Sequence, residues 1–476
     1  MFDVAVVGGG VVGAMVLREL SKYRLKVCML EKENDVCMGQ SKANSGIVHA
    51  GFDAKEGSLK AKFNVLGNKM MPAVTRELGV KFRYNGSLVV AFSEEDKATL
   101  KILKERGEKN GVSDLEIISA EELKKLEPNV SSAAVGALYA KTGGIVCPYE
   151  LTIAAIGNAM DNGAELKTNF LVSSVKGEFG RFDIYSESGE KITAKAIVNC
   201  AGINSAKVAA LYGDNSFTVG GRRGEYILLD RESGDFVSHT LFFTPTIKGK
   251  GILITQTVDN NILLGPTAEE ILDASTETTA EGLAAVQKKA TEMCDGVPFY
   301  NTITSFSGVR AYSDRHDFVI EQSPVCPGAI NVAGIESPGL TSAPAIAEYV
   351  VRELIGGLLP LEKKENFIAE RKPDYFFKDL SVKEKNEIIK KDKTYGHIVC
   401  RCEQITEGEI RRVCRENPKA TDIDGVKRRT RAGMGRCQGG FCQPYVAEII
   451  AEESGKPLTE ITKFGKGSEI LAGESK

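Results

Sequence analysis

Residues 2–23 have the sequence FDVAVVGGGVVGAMVLRELSKY, in which an apolar strand is followed at once by glycines and then by a helix. In this pattern Gly8 makes the tight turn, Gly10 lets the backbone approach a pyrophosphate, and Gly13 lets the helix pack against the strand. The free N–H groups and the positive dipole end at the start of the helix favour phosphate. The stretch therefore predicts a dinucleotide-binding unit of the βαβ type.

A second apolar strand, Lys26 to Leu30, ends at Glu31, 23 residues after Gly8. A carboxylate at this distance along the chain accepts a hydrogen bond from a ribose 2′-OH. A cofactor with a 2′-phosphate would instead need a basic residue nearby. Glu31 thus predicts a cofactor such as FAD or NAD, and these residues leave the choice between the two open.

Composition excludes several classes of protein. A chain of 476 residues that is 42% hydrophobic and 26% charged has enough length for a large core and several domains. Its 61 Lys and Arg against 64 Asp and Glu give a net charge of −3, whereas nucleic-acid-binding proteins show a basic excess. The sequence contains no run of about 18 apolar residues, which a membrane-spanning helix would need. Asp3 lies at a position where a secretion signal would have a basic residue. We expect a cytoplasmic protein without a nucleic-acid partner, and peripheral association with the inner face of the membrane stays open.

The pattern of apolar residues divides the chain into three regions. Apolar runs of strand length alternate with helical patterns over the first 360 residues, which predicts an α/β fold with a largely parallel sheet. Within this region the stretches 225–229, 252–255 and 262–264 predict a second, more antiparallel sheet. From about residue 360 to 393 the chain is rich in Lys and Glu and poor in apolar residues, which is typical of a linker with some exposed helix.

Four segments resemble the D-amino-acid-oxidase superfamily of flavoenzymes. Gly39–Gly51 (GQSKANSGIVHAG) resembles the turn that wraps the pyrophosphate and reaches the flavin ring, and Phe170–Val172 resembles the strand that meets the adenine. Ala196–Gly202 resembles the strand that closes over the cofactor, and Asn331–Ser342 resembles the final flavin-binding loop. The resemblance implies FAD rather than NAD. It also implies cofactor contacts beyond the glycine turn and Glu31, from Ser41, Asn44, Ser45, Val172, Gly202, Gly334, Gly339, Leu340 and Thr341.

Arg310 is the main candidate for binding the substrate. In this superfamily an arginine at its place holds an anionic group, and a guanidinium offers a rigid two-donor fork to a carboxylate or phosphate. The surrounding segment, Ser307-Gly-Val-Arg310, is similar to that of FAD-linked glycerol-3-phosphate dehydrogenases. We therefore expect a small anionic substrate at Arg310.

Other segments resemble L-2-hydroxyglutarate dehydrogenases, namely Asn44–Gly51 with Gly57–Ala61, and Arg223–Tyr226, although Phe52–Glu56 lacks the paired aromatic residues of that family. Lys60 and Arg223 are accordingly further candidates for the anion site, with a solvated surface charge as an equal alternative for each.

Both families oxidise a secondary alcohol that lies next to an anionic group. The carbinol carbon gives a hydride to the flavin, and a base takes the proton of the hydroxyl group. His49 is the candidate catalytic base, because a histidine pKa of about 6.5 suits proton transfer at neutral pH. Its alternatives are a buried histidine that orients the flavin and a covalent attachment point for FAD.

Four of the eleven cysteines form two close pairs, Cys400-Arg-Cys402 and, 34 residues later, Cys437 with Cys442. Clustered thiolates bind soft metals, but a gap of one residue fits structural zinc poorly. The segment Arg428–Gly439 resembles the bacterioferritin-associated-ferredoxin-like domain, and matching pairs occur in the large subunit of anaerobic glycerol-3-phosphate dehydrogenases. The resemblance implies that Cys400, Cys402, Cys437 and Cys442 hold a 2Fe–2S cluster. A zinc site is the alternative.

Several basic residues lie near these cysteines. These residues would offset the negative charge of a 2Fe–2S cluster. The alternative is that they form a basic face that is solvated or that docks an electron acceptor. The residues are Lys427, Arg428, Arg429, Arg431 and Arg436.

We therefore expect a Rossmann-like FAD-binding domain with an inserted, mostly antiparallel substrate domain, followed by a small α-helical iron–sulfur domain. The FAD-dependent part spans 1–358, with the FAD-binding domain in 1–80, 145–215 and 315–358 and the substrate domain in 81–144 and 216–314. Residues 359–396 form the linker and 397–476 the iron–sulfur domain.

The expected function is oxidation of sn-glycerol 3-phosphate to dihydroxyacetone phosphate by a dehydrogenase. Its electrons would pass through the cluster to an acceptor protein or a second flavoprotein subunit. The alternatives are a 2-hydroxy-acid dehydrogenase such as one for L-2-hydroxyglutarate, an imino-acid oxidoreductase, and a non-catalytic electron-transfer subunit.

Overall fold

The computed structural model describes residues 1–245, 251–271, 274–371 and 376–473. Small parts of the predicted substrate domain (246–250 and 272–273), of the predicted linker (372–375) and of the predicted iron–sulfur domain (474–476) lie outside the described residues.

The strands of the described residues are listed in chain order: β1 Phe2–Val7, β2 Val27–Leu30, β3 Ile47–Val48, β4 Phe82–Arg83, β5 Ser87–Ala91, β6 Leu115–Ser119, β7 Gly136–Ala140, β8 Gly144–Val146, β9 Glu165–Lys167, β10 Val172–Glu178, β11 Arg181–Ser186, β12 Lys191–Asn199, β13 Val219–Leu229, β14 Thr240–Phe243, β15 Leu253–Gln256, β16 Ile262–Gly265, β17 Glu269–Ile271, β18 Thr302–Ser313, β19 Val319–Gln322, β20 Ala329–Ala333, β21 Ile398–Cys400 and β22 Ile405–Thr406.

The α-helices follow the same order: α1 Val11–Ser21, α2 Leu59–Leu78, α3 Glu94–Lys109, α4 Ala120–Leu126, α5 Pro148–Asp161, α6 Ser205–Ala210, α7 Ala280–Met293, α8 Gly339–Tyr349, α9 Val382–Lys391, α10 Glu407–Arg415, α11 Ile423–Thr430 and α12 Gln443–Ser454. Among the described residues, every helix is too short or too polar to cross a bilayer.

The first sheet has eight strands in the order β10-β11-β12-β1-β2-β9, with β20 beside β12 and β19 beside β20. Its centre is parallel, because β12, β1, β2, β9 and β20 all run in one direction. β1 is apolar throughout because alternate residues enter two cores: Val4 and Val6 pack with α1, α5 and α8, while Ala5 and Val7 face the other side of the sheet. This is the predicted Rossmann-like layer.

The second sheet has nine strands in the order β17-β13-β16-β15-β14-β5-β7-β6, with β18 beside β13. All its pairs are antiparallel except β14 with β5. Its strands come from two stretches of chain, between β4 and β8 and between α6 and β19, so the sheet is inserted into the first layer. The three predicted stretches at 225–229, 252–255 and 262–264 lie in β13, β15 and β16.

The C-terminal part is a small helical unit with its own core. α10, α11 and α12 pack around Ile410, Val426 and Ile450 beside the short β21–β22 hairpin. α10 begins with a capping box in which Thr406 and Glu409 satisfy each other's backbone N–H groups. Before this unit, α9 has no buried residue, as the Lys- and Glu-rich sequence predicts. The predicted fold class is confirmed.

Candidate functional site

A cavity of about 480 Å³ opens between the two sheets, at the carboxyl ends of β1 and β12. The glycine turn, the segment 38–49, the end of β12 and the loop 335–340 form one side, and β13 and β18 form the other. The sequence-predicted residues that line it are Gly8, Gly10, Glu31, Ser41, Asn44, Ser45, His49, Val172, Gly202, Arg310, Gly339 and Leu340. Segments that are far apart in the chain thus meet at one place. It lies at the carboxyl ends of the parallel strands, where α/β folds bind their ligands.

Steric constraints explain two of the three glycines. Gly8 has φ +106°, and a Cβ there would lie 2.5 Å from the carbonyl oxygen of Cys200. A Cβ on Gly13 would lie 2.1 Å from the carbonyl oxygen of Gly8, so Gly13 does not line the cavity but lets α1 approach β1. Gly10 is the N-cap of α1 and provides no side-chain cap. Val11 and Val12, the first residues of α1, line the cavity, so the positive end of the helix lies at a wall that suits a pyrophosphate.

Glu31 lines this cavity together with residues 170–172. Its carboxylate accepts hydrogen bonds from the backbone N–H groups of Gly9 (2.6 Å) and Glu33 (2.9 Å). Burial raises its pKa, opposed by these two hydrogen bonds. Phe170 donates its N–H to the carbonyl of Glu31, which brings the 170–172 segment to the same end of the cavity.

The turn after β2 is shaped by its own polar side chains. Ser41 Oγ accepts a hydrogen bond from the N–H of Val11 at 2.9 Å. Asn44 donates to the carbonyls of Gln40 and Ser41 at 3.1 Å each and accepts from the N–H of Gly46 at 2.9 Å. The turn is thus tied both to α1 and to itself, which fixes the cavity wall before any ligand binds.

His49 is held on three sides. Its N–H donates to Thr341 Oγ1 at 2.9 Å, and its carbonyl accepts from the side-chain amides of Asn64 (2.8 Å) and Asn68 (3.1 Å). The imidazole Nε2 lies 3.3 Å from Ser337 Oγ at the cavity. Thr341 therefore stands behind the wall and positions the backbone of His49, rather than lining the cavity itself.

Arg310 projects from β18 opposite Arg222 of β13. One guanidinium nitrogen, Nη2, donates to the carbonyl of Thr267 at 2.7 Å, while the buried Nε has no hydrogen-bond partner among the described residues. The buried hydroxyl of Ser307, also on the cavity wall, has no partner among the described residues either. Burial lowers the pKa of Arg310. Because buried polar groups are rarely left without a partner, these two atoms fit a bound polar ligand.

The two other candidate cations lie outside the cavity lining. Lys60 contacts Glu336 at 2.8 Å and donates to the carbonyl of His316 at 3.1 Å. Arg223 contacts Glu269 at 2.6 Å. Gly334 also lies behind the wall, where a Cβ would meet Ser313.

Sequence reasoning did not single out five further lining residues: Lys42, Tyr226, Ser307, Glu336 and Ser337. All five lie inside segments quoted for the resemblance, with Glu336 and Ser337 next to each other in the 331–342 loop. Their neighbours in the sequence were therefore the available signal. The ion pairs of Glu336 with Lys60 and, at 3.6 Å, with Arg222 have no such signal, because they join distant segments.

The four clustered thiols lie as two pairs, and each pair takes one cysteine from each motif. The sulfur atoms of Cys402 and Cys437 are 3.6 Å apart, and the thiol of Cys442 lies close enough to Cys400 to lower the pKa of the Cys400 thiol. Two thiolates bound at about 2.3 Å to one tetrahedral metal lie about 3.7 Å apart. Among the described residues no three His, Cys, Asp or Glu side chains converge on a single point. Two separate dithiol pairs suit the two irons of a 2Fe–2S cluster.

Three of the five basic residues near the cysteines are buried in ion pairs. Arg428 and Arg429 contact Asp35 at 2.5 and 2.8 Å, and Arg431 contacts Asp259 (2.7 Å) and Glu403 (2.9 Å). All three arginines are buried. The alternative of a solvated face is therefore wrong for them, since they join the C-terminal unit to the two sheets.

Comparison with known proteins agrees with this geometry. Residues 3–353 match the family model "FAD dependent oxidoreductase" (DAO), and residues 398–452 match the "BFD-like 2Fe-2S binding domain". A glycerol 3-phosphate dehydrogenase of Caloramator mitchellensis is 48% identical over 478 residues, covering 100% of this chain and 99% of that protein. A glycerol 3-phosphate oxidase of Mycoplasma genitalium is 33% identical, covering 77% of this chain and 97% of that protein.

Among solved structures, L-α-glycerophosphate oxidase from Mycoplasma pneumoniae with FAD bound superposes with a TM-score of 0.74 at 31% identity, covering 78% of this chain and 98% of that one. Human L-2-hydroxyglutarate dehydrogenase is 32% identical over a shorter range, 56% of this chain and 61% of that protein. The predicted resemblance and both predicted cofactors, FAD and a 2Fe–2S cluster, are confirmed. The chain belongs to the FAD dependent oxidoreductase family and carries a BFD-like 2Fe–2S domain in its C-terminal part.

Proposed function

We propose that this oxidoreductase converts sn-glycerol 3-phosphate to dihydroxyacetone phosphate and passes the electrons through its 2Fe–2S cluster to an acceptor protein. The observation that carries the proposal is the partnerless Nε of Arg310 in the cavity wall of a chain that is 48% identical to a glycerol 3-phosphate dehydrogenase over its whole length. A phosphate oxygen would give this N–H an acceptor.

The charges around Arg310 support an anionic substrate. Glu336 is the carboxylate of the neighbouring loop on the cavity wall, and Lys60 and Arg222 lie within ion-pair distance of its two oxygens. Because these cations offset the charge of Glu336, the positive charge of Arg310 stays available for the substrate. In this proposal Lys60 supports the anion site through Glu336, and Arg223 holds β17 beside β13 through Glu269.

His49 takes the proton of the substrate hydroxyl group in this proposal. When bound, FAD supplies the acceptor for the hydride that leaves the carbinol carbon, so that a C=O bond forms as the O–H and C–H bonds break. The three backbone hydrogen bonds of His49 keep its ring at the cavity, and Ser337 Oγ orients Nε2. The other sequence-predicted residues that line the cavity hold the cofactor. They are Gly8, Gly10, Glu31, Ser41, Asn44, Ser45, Val172, Gly202, Gly339 and Leu340.

The experiment is anaerobic bleaching of the visible flavin band with glycerol 3-phosphate and, separately, with L-2-hydroxyglutarate. We expect rapid bleaching by glycerol 3-phosphate alone, whereas bleaching by the hydroxy acid alone would overturn the substrate assignment. Arg310→Leu should lower kcat/KM at least about 10²-fold, since a charge-assisted hydrogen bond contributes about 1.5–3 kcal/mol and the phosphate accepts more than one. Arg310→Lys keeps the positive charge but loses the two-donor geometry of the guanidinium. Its kcat/KM should therefore lie between those of the wild type and Arg310→Leu.

The electron route has its own test. A Cys402→Ala protein should still be bleached by substrate but should reduce a one-electron protein acceptor far more slowly than the wild type. Equal reduction of that acceptor by both proteins would show that electrons leave without the cluster.

A further inference from the structure

The two thiol pairs differ in their exposure to solvent. Cys400 and Cys442 are buried, whereas Cys402 and Cys437 are partly exposed and lie 3.6 Å apart. Electron transfer between proteins weakens steeply with distance, so an acceptor has to approach the exposed pair. The chain around Cys402 and Cys437 is therefore the surface on which a partner would dock.

Two large aromatic side chains lie exposed shortly after Cys437 in the chain. Phe441, the residue before Cys442, is 79% exposed, and Tyr445, one helical turn further, is 53% exposed. Pro444 between them is exposed as well. Exposed aromatic residues that lie close together are typical of interaction surfaces, where they bury a large area at a low cost in conformational entropy.

Arginines surround the same thiols. Arg401 lies between Cys400 and Cys402, is exposed, and has no ion-pair partner among the described residues. Arg231 reaches across from the loop after β13 and donates to the carbonyl of Cys402 at 2.7 Å. Arg436, directly before Cys437, is 59% exposed and contacts Glu232 at 2.7 Å. An unpaired exposed guanidinium beside a redox centre favours a partner that carries carboxylates.

We propose that the surface formed by Arg401, Phe441 and Tyr445 around the Cys402–Cys437 pair is the docking face for an acidic electron-transfer protein. The proposal rests on the proposed electron relay and names the partner's chemistry: an apolar centre surrounded by Asp and Glu side chains. A symmetric pair of copies of this chain would bring Arg401 close to its own equivalent, so like charges disfavour that occupant. A lipid surface would suit the aromatic residues but has no redox centre to accept the electron.

The test uses the full-length protein with both cofactors and two probes of one fold and opposite charge, native cytochrome c and succinylated cytochrome c. The enzyme is reduced with dithionite and desalted under anaerobic conditions, so the result does not depend on the substrate. Dichlorophenolindophenol, a small acceptor, measures electron delivery without docking. We expect faster reduction of the succinylated protein, with a rate that falls as salt is added.

Arg401→Glu should lower the rate with succinylated cytochrome c about 3–10-fold and narrow or reverse the preference over native cytochrome c. Phe441→Ser should slow the succinylated probe while the rate with dichlorophenolindophenol stays at the wild-type value. Matched controls are Arg181→Glu and Phe179→Ser, on the exposed β10–β11 hairpin, where Arg181 is 70% and Phe179 is 40% exposed. Neither control should change either rate.

The docking face would be overturned if Arg401→Glu and Phe441→Ser reduced succinylated cytochrome c at the wild-type rate. It would also be overturned if both variants slowed the reduction of dichlorophenolindophenol by the same factor as that of succinylated cytochrome c. If the wild type sediments as a dimer and Phe441→Ser sediments as a monomer, the face binds a second copy of this chain instead. The wild type could also float with phosphatidylglycerol vesicles. If Phe441→Ser abolishes this flotation while the reduction rates of both cytochromes c stay unchanged, the face binds a membrane instead. If substrate fails to bleach the flavin while the dithionite-reduced enzyme behaves as expected, the substrate assignment fails and the docking face stands.

Discussion

Asp35 connects the iron–sulfur unit to the cofactor-binding layer, and its removal should release that unit. The side chain is 4% exposed and contacts Arg428 and Arg429, which are 6% and 4% exposed. Arg429 binds it with two hydrogen bonds of 2.8 Å each. Two residues further on, Cys37 donates its N–H to the carbonyl of Gly9, so the segment that holds Asp35 is attached to the glycine turn.

The expected size of the effect follows from burial. Removing one partner of a buried charge cluster costs about 3–5 kcal/mol, because the remaining charges stay desolvated without compensation. The arginines also lower the pKa of Asp35 from 3.8 to about 2, against the effect of burial. At about 1.36 kcal/mol per unit this shift corresponds to roughly 2 kcal/mol of stability at neutral pH. A depressed carboxyl pKa means that this stability is present above about pH 4 and is lost as the pH falls towards 2.

The assay compares wild type, Asp35→Asn and Asp35→Ala by urea denaturation and by limited proteolysis in the segment 359–371. We expect both variants to lose about 2–5 kcal/mol and to be cut faster in this segment, while the flavin stays bound. Glu121→Gln is the matched control, since the Glu121–Lys125 pair is 80% and 70% exposed and should contribute less than about 1 kcal/mol. The difference between wild type and Asp35→Asn should shrink as the pH falls from about 4 towards 2.

Two results would refute this reasoning. If Asp35→Ala unfolds like the wild type, the buried contact contributes nothing to docking. If it is destabilised but the segment 359–371 is cut no faster than in the wild type, Asp35 stabilises the fold without holding the iron–sulfur unit in place.

Three further predictions concern the cofactor sites. Glu31→Ala removes the acceptor for two backbone N–H groups and should weaken FAD binding about 10–100-fold in a titration of the apoprotein, whereas Glu31→Gln should lose less. Gly13→Ala places a Cβ 2.1 Å from the Gly8 oxygen and should cost at least about 1–3 kcal/mol in thermal denaturation, whereas Gly39→Ala, with nothing within 4 Å, should stay within about 0.5 kcal/mol. Cys402→Ala should abolish iron and acid-labile sulfide, whereas Cys414→Ala should retain both, since burial raises the pKa of Cys414 to about 11 and it packs in the core.

The glycine turn could be predicted from the sequence because its constraints are local. Gly8 needs a positive φ, Gly13 needs close approach of a helix, and Glu31 follows at a fixed distance along one βαβ unit. Such requirements leave few alternative residues at each place. The same holds for the two cysteine motifs, whose spacing of one and four intervening residues already disfavours a zinc site.

The arginines after α10 show where sequence reasoning stops. Arg428 and Arg429 lie close to the cysteines along the chain, which suggested compensation of the cluster's charge. Their partner, Asp35, is more than 390 residues away in the sequence. The partner of these arginines is set by the tertiary contact between the C-terminal unit and the first sheet, which the local sequence does not show.

The cysteine pairs show a similar limit, and they also explain how the small unit is stabilised. The motifs predict four ligands but not which of them lie together, and the structure pairs Cys400 with Cys442 and Cys402 with Cys437. Each pair therefore joins the end of β21 or the turn after it to the turn before α12, so a metal bound at either pair closes a loop of more than 30 residues. Closing such loops restricts the unfolded chain, and metal binding to the folded unit adds its own free energy. The cluster thus helps to hold the fold that presents it, and its loss should loosen α12 and the aromatic residues at its start.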